Sequence, residues 1–301
     1  MEHDVDWIEI TRRNARSVQT TIGWIFWDPG AVARYEAMGL PGPLGYIAAR
    51  IAPFARVGYD ATVAALGSIS PLGIRFVTDF VHDDAWMDWW NARNEAVLEG
   101  LALHAPDALQ ILSDFRDELW DVIPHLSFVG RPFAASHLSV PRSSDSALDA
   151  WHAINILREW RGDTHWGIVG RLNLTGAEAS TLHNEWLDYD DDWLSKSRGL
   201  DDAAIAAAWA SLEQRGLARG RSITPAGRDL RQWIEDETDR CTTVPWEILG
   251  YERSLAFQSA FEPPCELLLE RVNITAGERY QPASRVRTTG RIVDKKAPDL
   301  D

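Results

Sequence analysis

Residues 212–235, LEQRGLARGRSITPAGRDLRQWIE, carry the clearest fold signal in the chain. A helix predicted over residues 201–214 ends at Arg215-Gly216, where glycine lets the backbone leave the helix in a left-handed turn. Residues 217–223 then read as a short extended hairpin. Thr224-Pro225 starts a new helix. The threonine hydroxyl can cap it, and proline at the first helical position lacks only an N–H that the helix would leave unpaired. Ala226 and Gly227 are small enough for the hairpin to approach closely.

Upstream, residues 150–170 read AWHAINILREWRGDTHWGIVG. This spacing predicts an amphipathic helix running into Arg161-Gly162-Asp163, with a second helix capped by Asp163 and His165 in its first turn. Thr175-Gly-Ala-Glu178 is a capping box whose helix reaches about residue 187, before the acidic run 188–192. In the first half, helices are predicted over 8–22, from the Asp28-Pro29 start to Gly39, and over 44–51. Others run from Ser70-Pro71 toward Phe80, over 84–103 and over 106–122. Residues 124–141 read as irregular, with at most a short helix near 133–138. The polar loop 142–146 marks a domain boundary. Hairpin signals are confined to the second half, so the fold class is mainly α, with a small β-wing there.

Composition narrows the function. The formal charge of −15 and pI near 4.9 oppose nonspecific attraction to nucleic acid or anionic membranes. Cys241 and Cys265 form neither a disulfide framework nor a metal motif. The first residues, MEHDVDWIEITRRN, lack the apolar core of a signal peptide, and no run of about 18 apolar residues is present. The expected setting is cytoplasmic, away from membranes. Fifteen tryptophans are far more than usual. They serve packing first, and as a set they also suit a flat aromatic ligand.

The order helix, glycine turn, hairpin and capped long helix resembles the end of MarR-type winged helix-turn-helix domains. Tyr35-Glu-Ala-Met-Gly-Leu40, Gly130-Arg-Pro-Phe-Ala-Ala135, Trp151-His152-Ala153 and Arg158-Glu-Trp-Arg-Gly-Asp-Thr-His165 resemble motifs of a SalK-like actinobacterial winged-helix family. Trp160 and Thr164 depart from its last motif, where the family carries His and Gly. The resemblance covers roughly residues 15–250 and implies a winged-helix fold and a link to secondary metabolism. It leaves the chemistry open.

With Arg56 laid over Arg161, Asp60 falls on His165, and aromatic, apolar and cap positions fall in step. This register predicts two winged-helix-like halves arranged as a pseudo-dimer: a degenerate domain over 1–142, a MarR-like domain over 143–271, and a flexible basic tail over 272–301. A cavity between the halves would bind a small aromatic molecule. Its expected lining is Trp24, Trp27, Arg56, Tyr59, Trp151, His152, Arg158, Trp160, Arg161, Asp163 and Trp166. A cofactor-independent enzyme would use His165 oriented by Asp60 as an acid–base pair. No cofactor or metal site is predicted, with haem or a metal at His165 the open alternative. A ligand-responsive regulator would contact DNA through Arg219 and Arg221. Against DNA, the helix over 201–214 carries acids, no Lys or Arg, and only Gln214 among the usual base readers. The expected assembly is a monomeric pseudo-dimer or a homodimer.

Overall fold

The computed structural model describes residues 5–42, 44–81 and 85–285. α1 (Trp7–Gly23) leads through a 3₁₀ turn (Trp24–Trp27) into α2 (Pro29–Ala37) and α3 (Leu44–Ile51). A second 3₁₀ segment (Ala52–Val57) precedes α4 (Tyr59–Ala65), α5 (Pro71–Thr78), α6 (Trp86–His104) and α7 (Asp107–Val122). α8 (Pro132–His137) is followed by α9 (Ser146–Arg171), α10 (Gly176–Trp186), α11 (Trp193–Ser197) and α12 (Asp202–Gln214). α13 (Pro225–Arg240), α14 (Val244–Leu249), α15 (Tyr251–Thr275) and α16 (Pro282–Arg285) complete the order.

Local caps set many of these boundaries. Asp28 accepts from Gly30 N and Ala31 N ahead of α2, and Ser70 accepts from Gly73 N ahead of α5. Both bonds of the Thr175–Glu178 capping box form, and Thr224 accepts from Gly227 N. Each satisfies amide groups that the first helical turn would leave bare.

Two apolar clusters organise the packing. One joins α1–α3, α6–α8, the first part of α9 and α15, with Trp24, Tyr35, Trp151 and Phe257 fully buried. The other joins the end of α9 to α10, α12 and α13 through Val169, Leu182, Leu212 and Leu230. α9 passes unbroken through both. The expected break at Gly162 does not occur, because packing at both ends of the helix offsets the cost of one glycine, about 1 kcal/mol. Asp163 therefore caps no new helix on α9. Its carboxylate accepts from Ala134 N at 2.9 Å, at the start of α8.

The expected pseudo-dimer and β-wing are corrected by this packing. α15 lies against α1 and α7, so the end of the chain closes the first cluster instead of completing a second copy. Among the described residues no strand forms. The hairpin is reduced to one antiparallel bridge, Ala218 to Ile223. Gly220 and Arg221 both take left-handed conformations, giving a two-residue turn. Gly216 on one side and the Thr224 cap on the other leave only a few residues to pair. Residues 272–285 of the expected tail are packed, with Ser284 O accepting from Arg16 Nε at 2.8 Å and Tyr280 against Trp27. The tail's Arg287, Arg291, Lys295 and Lys296 lie outside the described residues.

Gly227 faces the hairpin so closely that an added Cβ would lie 2.2 Å from Leu217 O. Gly227→Ala is expected to lose about 1–3 kcal/mol of stability through overpacking against backbone, measured by urea denaturation.

Candidate functional site

Buried polar residues on α9 follow helical spacing: Asp149, His152, Asn155, Glu159 and Asp163. Four of them have protein partners. Asp149 receives Arg116 at 2.7 Å and Arg142 at 2.5 Å. His152 Nε2 lies 3.1 Å from His137 O. Glu159 takes a bidentate pair from Arg50 at 2.8 and 2.6 Å and a further bond from Arg158 at 2.6 Å. Asp163 caps α8. Asn155 differs: it is 1% exposed, and neither atom of its carboxamide has a partner.

Close to Asn155 on α9 stands Trp151, whose indole donates to Thr21 O at 2.8 Å. Arg93 of α6 reaches in beside it. Its guanidinium lies 3.6 Å from the Trp90 ring centroid and 4.7 Å from that of Trp151, and it is 1% exposed. It donates to Asn94 Oδ1 at 3.1 Å, while its Nε has no partner. No carboxylate of the described residues lies within ion-pair distance. Burial pulls Arg93 down to about 10. The Tyr35 hydroxyl and Trp24 Nε1 are buried without partners in the same apolar cluster, and so is His137 Nε2 beside Phe133 and Trp90. Each such group costs about 1–3 kcal/mol in a closed protein interior.

The surrounding charges are fixed in state. Burial opposes ionisation of Glu159, but Arg50 and Arg158 outweigh it and hold the carboxyl at about 2. Burial lowers His137 to about 4 and His152 to about 3, so both are neutral at pH 7.

The second half of α9 faces α13 and α1. Arg161 donates to Asp239 at 2.6 Å, and Asp239 also takes Arg12 at 3.1 Å. Arg231 pairs with Glu235 at 2.5 Å. His165 Nδ1 lies 3.1 Å from Thr238 Oγ1, with its ring edge-on to Trp166, and burial lowers it to about 4. Arg161 and His165 thus tie helices together here.

The structure separates the expected lining into groups. Trp151 and His152 border Arg93 and Trp90, and Trp24 packs on Gly100 two turns along α6. Arg158 joins the Glu159 cluster. Trp160 donates to Ser127 O, and Trp27 packs at a tilt against Tyr280. Trp166 lies over Gly67. Arg56 and Asp60 are exposed, and Tyr59 bonds Pro71 O beneath Arg75. The expected Asp60–His165 pair is not formed, because α4 turns Asp60 to solvent while α9 carries His165 against Thr238. The residues added by the structure are Tyr35, Arg50, Trp90, Arg93, His137 and Asn155. Arg93 had one readable signal, a cation within the apolar tryptophan face of α6.

The second apolar cluster brings together α10, α12 and α13, with the short α11 between α10 and α12 in the chain and the hairpin turn between α12 and α13. A family model described as a helix-turn-helix family matches residues 11–275. The chain belongs to this helix-turn-helix family. No curated protein and no solved structure matches it. The outer face of α12 is poor in base-reading groups: Asp202, Ala203, Ala206, Ala207, Ala210, Glu213 and Gln214 are exposed. Arg221 pairs with Asp192 at 2.7 Å and Arg228 with Asp188 at 2.9 Å, while Arg219 is exposed near the hairpin turn. No described helix is long and apolar enough to cross a membrane. No three described His, Cys, Asp or Glu side chains are grouped to hold a metal ion.

Glu159→Gln strands Arg50 and Arg158 in the interior and is expected to cost about 3–5 kcal/mol in urea denaturation. The neutral histidines set a pH dependence. Between about pH 6.5 and 4 the unfolded chain binds protons that folded His137, His152 and His165 refuse. Their contribution to stability is therefore lost as pH falls through that window. His152→Phe should flatten the fall in thermal midpoint from pH 7 to 4.

Proposed function

We propose that this helix-turn-helix protein binds a small aromatic molecule inside its helical body, beside the first half of α9. The observation that carries this reading is the group of fully buried, unpartnered polar atoms at Arg93 and Asn155, walled by Trp90 and Trp151. Pockets that hold small ligands combine apolar walls with a few converging polar groups. The SalK-like resemblance supports a ligand from secondary metabolism. Arg161 and His165, tied to α13, fall outside this site.

A second reading, a ligand-responsive DNA-binding regulator, is favoured by the family match and by α9 running through both apolar clusters. Ligand beside Asn155 would then bias the packing of α10, α12 and α13 through one rigid helix. The acidic and alanine-rich face of α12 argues against base-specific readout.

Native mass spectrometry of full-length protein from its own host is expected to show a retained small molecule. Neutral indole added to stripped protein should change tryptophan fluorescence, and Asn155→Leu should weaken that response. No retained molecule, together with no response to any aromatic probe, would sink the reading. Duplex DNA is expected to give no specific gel shift. A specific shift lost in Arg219→Ala would establish the regulator instead.

A further inference from the structure

The first half of α9 lies in a region where positive charge exceeds negative. Arg50, Arg93 and Arg158 are buried or nearly so, with Arg93 the most completely enclosed. Among the described carboxylates, Glu159 is the one that pairs with any of them, and it serves Arg50 and Arg158 together. His137 and His152 are neutral, so they add no charge. Asp163, the next carboxylate on α9, faces α8 through the amide of Ala134. Buried charges in proteins are paired or bound to a counter-ion, since an isolated one costs several kcal/mol. Arg93 has neither, and its flat guanidinium is already seated against the faces of Trp90 and Trp151.

Resting on the ligand-binding reading above, we infer that the ligand is an aromatic carboxylate whose anionic group pairs with Arg93. A guanidinium edge presents parallel N–H donors matched to two carboxylate oxygens. A phosphate dianion is more strongly hydrated and presents three oxygens, more than the unpartnered donors of Arg93 and Asn155 can serve. The tryptophans beside Arg93 supply the flat apolar contact for the ring. Asn155, with both a donor and an acceptor unpartnered, takes a second polar substituent such as a hydroxyl. Arg93 is thus the specificity-determining residue, and Glu159 keeps Arg50 and Arg158 from competing for the anion.

The test uses the full chain, stripped of any retained molecule, in titration calorimetry at pH 7.5. The probes are indole-3-carboxylate and phenylacetate, each beside its primary amide, with phenyl phosphate and neutral indole as further arms. The acids are expected to bind about tenfold or more tighter than their amides, the difference made by a charge-assisted pair. Arg93→Met should erase that ratio and Arg93→Lys should retain part of it, with helicity checked by circular dichroism. The wild-type acid-to-amide ratio decides the matter even if the Met variant fails to fold. Equal binding of acids and amides, tighter binding of phenyl phosphate, or a ratio that survives Arg93→Met overturns the carboxylate assignment. Binding of indole in those cases leaves the ligand-binding reading standing. Failure of every probe, indole included, with no retained molecule by mass spectrometry, overturns both.

Discussion

The carboxylate of Glu159, gripped by Arg50 and Arg158 inside the protein, sets a condition that the rest of the helical body must meet. A buried carboxylate is tolerated only when its oxygens are paired, and here the pairing joins α3 to α9. Above and below it on α9, Asp149 and Asp163 draw in Arg116, Arg142 and the first turn of α8 in the same way. α9 therefore acts as a post with polar sockets cut into one side. Apolar side chains fill the remaining sides, and residues 147–157 are buried without interruption. A helix buried all round must be enclosed by several others, which is why α1, α7 and α8 all pack on it.

Seen along this post, the unpartnered Asn155 is the exception in an otherwise satisfied row. Arg93 is its counterpart on α6. Polar networks in a low-dielectric interior rigidify a fold when complete and are costly when incomplete. An incomplete network bordered by tryptophans is therefore where the fold gives up stability, which the proposed ligand would recover. The far end of α9 is more densely paired, with only Arg161 Nε and Arg231 Nη1 of its arginine nitrogens buried without a partner. There Arg12, Arg161, Arg231, Glu235 and Asp239 close on one another and leave α9 held to α13.

The chain belongs to a helix-turn-helix family, while the exposed face of α12 is acidic and alanine-rich. Arg221 of the hairpin turn and Arg228 of α13 are held by Asp192 and Asp188, in the acidic run that precedes α11. The helices around α12 keep a firm attachment to the body, through Gly176 against Gly67 and Ser70 N on Arg198 O at 3.0 Å. Fold membership and surface chemistry are separate properties, since one scaffold hosts many functions.

Sequence alone determined what depends on near neighbours. Asp28-Pro29, Ser70-Pro71, Thr175 with Glu178, and Thr224-Pro225 each fix a helix start through bonds spanning two or three residues. The turn at Gly216 and the helix-turn-helix order follow from the same local chemistry. The tryptophan-rich, polar character of residues 150–170 was legible too. Tertiary structure decided the rest. Gly162 reads as a break until two apolar clusters hold the helix straight through it. Asp163 reads as a cap for its own chain segment until α8 presents Ala134. His165 and Arg161 look free until α13 supplies Thr238 and Asp239. Arg93 and Asn155 look ordinary until the partners of every neighbouring polar group are known. Whether a buried polar atom is satisfied is a property of the groups that long-range folding brings to it, and local sequence spacing does not encode that.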